Sequence, residues 1–275
     1  MCLILFAHGM DPDFPLVVAA NRDEFFDRPS AAANFWPGSE SFILAGRDLQ
    51  ARGTWIGITR HGRFAGVTNI RSTTQTKQHA RSRGELVRNF LSGTSTPLQY
   101  CESIQPHFPE FAGFNLLVGD GGSLCYANNS QNIVRVLAPG IFGLSNDLLD
   151  SDWPKVNLGK KRLADLFSQK GFLSTDALID LMSDRDRAAD DALPDTGLPT
   201  ELERILSATF IQHQQGNYGT RCSTAIVLAH RGGTVRFCEQ SYNALGQAAD
   251  GQYFEFHSEP GSAGVKRGQV LSGTE

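Results

Sequence analysis

The sequence lacks any apolar run near the ~18 residues of a membrane-spanning helix; its longest are short pieces such as Phe14 to Ala20. A secretory leader is not expected, because the opening has no basic segment and its apolar run, Cys2 to Ala7, stops at His8 and Gly9. No prenylation or retrieval signal stands at the other end, so the expected location is cytoplasmic, without stable membrane insertion. An excess of basic charge is also missing. With 25 Lys and Arg against 29 Asp and Glu, the net charge is -4, which argues against a nucleic-acid partner. No Gly-x-Gly-x-x-Gly or Walker loop occurs, which removes the nucleotide-fold readings. The five cysteines (Cys2, Cys101, Cys125, Cys222 and Cys238) show no C-x-x-C spacing, and none precedes a histidine as covalent haem attachment requires. Reduced thiols are expected, and no metal site is.

What remains is an ordinary apolar share of 40% in 275 residues, enough for a core and, at ~150 residues per domain, for one or two domains. Strand-like runs at Leu3 to Phe6 and Leu16 to Ala20 are parted by turn signals. Thr54 to Thr59 and Phe64 to Thr68 flank a hairpin tip at His61-Gly62. Ser82-Arg83-Gly84-Glu85 and Thr96-Pro97-Leu98-Gln99 read as capping boxes opening helices. Strands return at Phe114 to Val118, Ser123 to Ala127, Val134 to Leu137 and Ile141 to Leu144. Helices are expected over Pro154 to Gln169, Thr175 to Ser183 and Glu201 to Phe210, with a solvated loop from Asp184 to Pro199. A last hairpin, Cys222 to Ala229 with Val235 to Gln240, precedes a strand at Tyr253 to Phe256. Blocks of strands alternating with blocks of helices predict an α+β chain with mainly antiparallel sheets. One domain over residues 1–258 and a fraying tail over 259–275 are expected.

Few residues point to chemistry singly. Removal of Met1 would leave Cys2 with a thiol and a free α-amine, and such an amine can act as base for its own side chain; alternatively, Cys2 simply begins a buried strand. Asn21-Arg22-Asp23-Glu24 follows the apolar run Leu16 to Ala20, where ionisable groups are costly unless paired or exposed. Arg22 near a thiol would favour the thiolate; a solvated turn is the other reading. Asn69 and Asn146 stand at strand ends, where a side-chain amide can meet an oxyanion or merely serve a turn. Arg221 opens another strand, as an anion-holding charge or a surface arginine. His8, His61, His79, His107, His213, His230 and His257 form no recognisable ligand motif.

Taken together, Met1-Cys2, Asn21 to Glu24, Gly53 to Gly57, Phe64 to Arg71, Ser82 to Val87, Gly113 to Leu117, Gly143 to Asn146, Asp150 to Val156 and Tyr218 to Thr224 resemble the NRDE family, also called the transport and Golgi organization protein 2 family. The resemblance implies an αββα sandwich like that of the N-terminal-nucleophile (Ntn) hydrolases, two mainly antiparallel sheets between helical layers. A more distant likeness, to bile-salt hydrolases and penicillin V acylases, implies Cys2 as nucleophile and its amine as base. It also implies Arg22 and Arg221 as pocket arginines, Asn69 and Asn146 as oxyanion and amine-orienting amides, and Asp23 or Glu24 as the pocket carboxylate. Cys222 stands where serine is usual. The family association implies, first, a ligand of the haem or acyl-CoA class in a Cys2-centred cleft touching Asn21, Arg22, Asp23, Glu24 and Arg221. Haem would then be cargo, not a required cofactor. Amide cleavage through Cys2 is the alternative.

Overall fold

The computed structural model describes residues 2–71, 81–168, 173–213, 217–229 and 233–258. Met1, His79, His230, the end expected for the Pro154 helix at Gln169 and the expected tail over 259–275 lie outside the described residues. Among the described residues are two antiparallel sheets. The first has the order β10-β1-β2-β11-β12-β13, from Gly140–Leu144, Cys2–Asp11, Phe14–Phe25, Tyr218–Leu228, Thr234–Tyr242 and Ala248–His257. The second runs β3 to β9 in chain order: Ser30–Phe35, Ile43–Asp48, Ile56–Thr59, Phe64–Asn69, Phe114–Gly119, Leu124–Asn128 and Ile133–Val136.

The period-2 alternation of each strand explains the layering. On β1, Ile4 and Phe6 face the second sheet and meet Phe64, Leu117 and Tyr126, while Leu3, Leu5 and Ala7 face outward. That outward face is covered by helices α3 (Pro154–Ser168) and α4 (Thr175–Leu181) through Val156, Leu163 and Leu178. The second sheet is covered in the same way by α1 (Arg83–Ser92) and α2 (Pro97–Ile104) through Leu86, Phe90 and Cys101. Close approach of α3 depends on Gly159, where a Cβ would stand 2.5 Å from Leu5 Cδ1. The architecture is therefore an α+β sandwich with its two sheets between helical layers.

Several local expectations are corrected. The Thr96–Gln99 capping box forms, but that at Ser82 does not: the Ser82 side chain caps nothing, and Glu85 is drawn to Arg81 instead. Helix α5 spans Thr200–Leu206 and stops short of Phe210. Its continuation is diverted because the Phe210 N–H bonds to the Asp184 carbonyl and the Thr209 carbonyl accepts from Asn21. The His61-Gly62 hairpin forms as expected, with Gly62 at φ +74°. No helix among the described residues is long and apolar enough to cross a membrane.

Candidate active site

Cys2 is the first residue of β1, so its position is fixed by the β1–β2 ladder. The register pairs Cys2 with Arg22, Arg22 with Cys222, and Cys222 with Ser241, giving one row across four neighbouring strands. In-register residues of antiparallel strands share a face, and this row shares the inter-sheet face with Ile4, Ala20 and Phe237. It ends at the open edge of the sandwich in a cavity of 230 Å³, whose walls include Cys2, Arg22, Asn69, Arg83, Arg221 and Glu239.

Among the described residues, five arginines and four carboxylates line this cavity. Most arginines are engaged. Arg28 pairs with Asp48 at 2.8 Å and with Glu24 at 3.8 Å. Arg83 donates to the Gly113 carbonyl, and Arg47 stacks on Trp36. Arg221 is the extra residue of a bulge where the β2–β11 register shifts between Thr220 and Cys222. It donates to the Phe25 and Arg28 carbonyls, so it braces the segment after β2 while it lines the wall. Arg22 differs. It is 8% exposed and makes no hydrogen bond or ion pair among the described residues.

Burial pushes the Cys2 thiol above its usual range, and Asp23 adds to that; Arg22 and a hydrogen bond from the Asp23 backbone pull it down. The resting thiol is thus protonated, and its use as a nucleophile requires a base. Asn69 lines the cavity with its side-chain amide uncommitted among the described residues, whereas the Asn146 amide donates to the Asn69 carbonyl at 2.9 Å. Asn146 stands behind the wall and holds Asn69 in place.

The tetrapeptide expected to touch a ligand divides between two faces. Arg22 and Glu24 line the cavity. Asn21 does not: it points outward, donates to the Met182 and Thr209 carbonyls at 2.9 Å each, and accepts from Ser223, so it is corrected to a brace for the helical layer. Asp23 belongs to the wall, but its Oδ1 accepts from Thr220 at 2.7 Å and its charge is felt by Lys155. Lys155, on α3 and 3% exposed, donates to the Leu206 carbonyl. Burial lowers its pKa to about 8, with Asp23 opposing. Beside it lies a buried pair, Arg71 with Glu203 at 2.5 Å, and Arg71 stacks on Trp153.

Sequence reasoning missed Lys155, Arg83 and Glu239. Glu239 carried a usable signal: Val235, Phe237 and Glu239 alternate on one face of β12, which puts an acid where the core face is expected. Among the described residues no histidine lines the cavity, and no group of His, Cys, Asp and Glu is arranged to hold a metal.

Comparison with known proteins gives matches over most of the chain. The profile of the family described as Transport and Golgi organisation 2 matches residues 1–244. A Transport and Golgi organization 2 homolog from Mus musculus is 34% identical over 259 residues, covering 88% of this chain and 93% of its own. The Homo sapiens homolog has the same identity and coverage. Among solved structures, the Caenorhabditis elegans ortholog of N-acylethanolamine-hydrolyzing acid amidase aligns with a TM-score of 0.50, at 10% identity, over 82% of this chain and 92% of its own. That likeness is one of fold, and the sandwich is of the Ntn-hydrolase type.

Proposed function

The chain belongs to the Transport and Golgi organisation 2 family, and on that premise we propose that it is an N-terminal-nucleophile hydrolase cleaving a carbon–nitrogen amide bond through Cys2. One observation carries this reading: the second residue of the chain lines a cavity directly across the ladder from Arg22, a buried guanidinium with no protein partner among the described residues.

The chemistry needs Met1 removed. The α-amine of Cys2 then takes the Sγ proton, and Sγ attacks the amide carbonyl carbon, placing negative charge on its oxygen. Asn69 offers its side-chain amide to that oxygen. The tetrahedral species collapses, the C–N bond breaks, and the leaving amine departs with the proton held by the α-ammonium. A thioester remains on Cys2. Water, deprotonated by the same amine, attacks it and releases the acid. Arg22 favours thiolate over thiol throughout, since a neighbouring cation stabilises the charged form.

Arg22, the wall arginine with no hydrogen bond or ion pair among the described residues, favours a substrate or ligand with an anionic group. A carrier of small anionic acyl compounds would use the same cavity. Haem and whole acyl-CoA fit it less well: its 230 Å³ lies below the ~300–1,000 Å³ usual for pockets that enclose drug-sized ligands, and no histidine among the described residues faces it. The deciding experiment is intact-mass analysis of protein purified from its own cells, followed by exposure to activated esters and amides. A chain starting at Cys2, with an acyl adduct on its first peptide, is the expected result. Retention of Met1 throughout the population would end the hydrolase reading.

A further inference from the structure

Glu239 plays no part in that chemistry, yet it is 2% exposed and forms part of the cavity wall. Its Oε1 accepts the Ala33 N–H at 2.7 Å, where β3 bulges between Ala31 and Asn34 and loses its regular pairing with β4. The Cys222 side chain, which also lines the cavity, lowers the pKa of the same carboxylate. Opposite stands Gly46, whose lack of a side chain keeps Oε2 accessible; a Cβ there would lie 3.4 Å from it. Burial raises the Glu239 pKa above the usual carboxylate value, and the Ala33 N–H, Cys222 and Arg22 oppose that rise.

Arg22 supplies an independent observation from the other side of the cavity. A guanidinium carries five N–H donors. At 8% exposure, in the cavity wall and without a protein acceptor among the described residues, Arg22 keeps those donors free for a ligand. Arg22 is on β2 and Glu239 on β12, with β11 between them. Glu239 stands two residues along β12 from Ser241, which is level with Arg22; at ~4.8 Å per strand and ~3.3 Å per residue the Arg22 and Glu239 main chains lie about 12 Å apart, and both residues line the same space.

We propose that Arg22 and Glu239 are the two poles of one ligand subsite, which takes a molecule bearing a carboxylate or similar anion at one end and an amine at the other. The anion lies on the Arg22 fork. The ammonium donates to Glu239 on the side left open by Gly46, and Ser241 and Cys222 flank the path between. The subsite rests on the cavity being a ligand site, not on bond cleavage at Cys2.

The test titrates the whole chain with 4-aminobutyrate and 6-aminohexanoate, and with butyrate and hexanoate, following protein NMR signals. None of these probes contains an amide, so the outcome is separate from the fate of the hydrolase reading. At least one amino acid should bind fivefold or more tightly than its plain acid. Glu239→Gln keeps an oxygen for the Ala33 N–H but removes the charge; it should erase that preference and leave the plain acid bound as well or better. Glu239→Asp, which withdraws the charge by one methylene, should move the preference towards the longer probe, and this covers the case in which the glutamine variant does not fold. Equal binding of acids and amino acids, a preference surviving in Glu239→Gln, or no binding by any probe would overturn the subsite.

Discussion

The side-chain amide of Asn146 donates to the backbone carbonyl of Asn69 at 2.9 Å, while the Asn146 carbonyl accepts the Arg71 N–H at 2.7 Å. One residue therefore clamps the end of β6 from two sides, and the cavity wall at Asn69 is only as well placed as Asn146 allows. Asn146→Ala leaves a buried carbonyl unmatched. It is expected to cost ~1–3 kcal/mol, read as a fall in Tm of about 2–4 °C per kcal/mol. If Asn69 meets the oxyanion, kcat should fall with KM little changed. A full loss of substrate binding with unchanged Tm would show that Asn146 acts on the ligand directly.

The Cys2 thiol should alkylate slowly at neutral pH, because burial raises its pKa first of all, and the rate should climb as pH passes the ordinary thiol range. Arg22→Gln removes a cation that favours the thiolate. The thiol then rises further, and at fixed pH the rate drops about tenfold for each unit of rise. Iodoacetamide labelling mapped to the Cys2 peptide measures both. Faster labelling in Arg22→Gln would mean that Arg22 shields Cys2 rather than activating it.

Lys155 gives a pH signature of opposite sign to the buried thiols. Its pKa is about 8 in the folded chain and ~10.4 when unfolded, so between these values the unfolded chain binds more protons. Stability contributed by this residue therefore rises with pH from about 8 to about 10.4. Lys155→Met should remove that rise, which is on the order of 3 kcal/mol across the window. Urea unfolding of wild type and variant at several pH values isolates it as a difference in slope. Parallel curves would place the ammonium in a wetter setting.

Arg71 and Glu203 are nearly dry, with side chains 6% and 4% exposed, and Glu203 also accepts from Thr196. Removing Glu203 takes away the buried acid that Arg71 meets. Glu203→Ala should cost ~3–5 kcal/mol, whereas Arg71→Met with Glu203→Met should cost much less. Denaturant midpoints of the two variants settle the comparison; equal losses would mean that shape, not charge, is what this pair supplies.

The sequence made some parts of this molecule plain and hid others for physical reasons. A turn that needs a left-handed residue announced itself at Gly62. Strands β3 and β4 were not located. Ser30–Phe35 is an edge strand with small, largely exposed residues, and its bulge breaks the alternation that would have marked it. The Ser82 box failed because a local pattern competes with partners from elsewhere: Arg81 takes Glu85, and Gly84 packs against Thr54. At the site, Cys2, Arg22, Asn69 and Arg221 do gather around one cavity. Asn21 was misplaced for a reason available beforehand, since alternation turns it away from the face of Arg22; Asp23 nonetheless reaches the wall, beside the bulge in β11. Lys155 and Glu203 had no local signal. Their meaning lies in burial beside Asp23 and Arg71, which only the packing of α3 and α5 creates.

The row Cys2, Arg22, Cys222, Ser241 is held by pairing alone, and this makes β2 a reading frame for the whole site. Inserting or deleting one residue between Phe14 and Asn21 would exchange odd for even along the strand. The guanidinium would then be driven into the helices and the Asn21 carboxamide into the hollow, with every side chain still present. Length variation in this hairpin is tolerable only at its tip, between Asp11 and Phe14, where the two strands part. Relatives that keep the chemistry should therefore differ in spacing there and nowhere else along the pair.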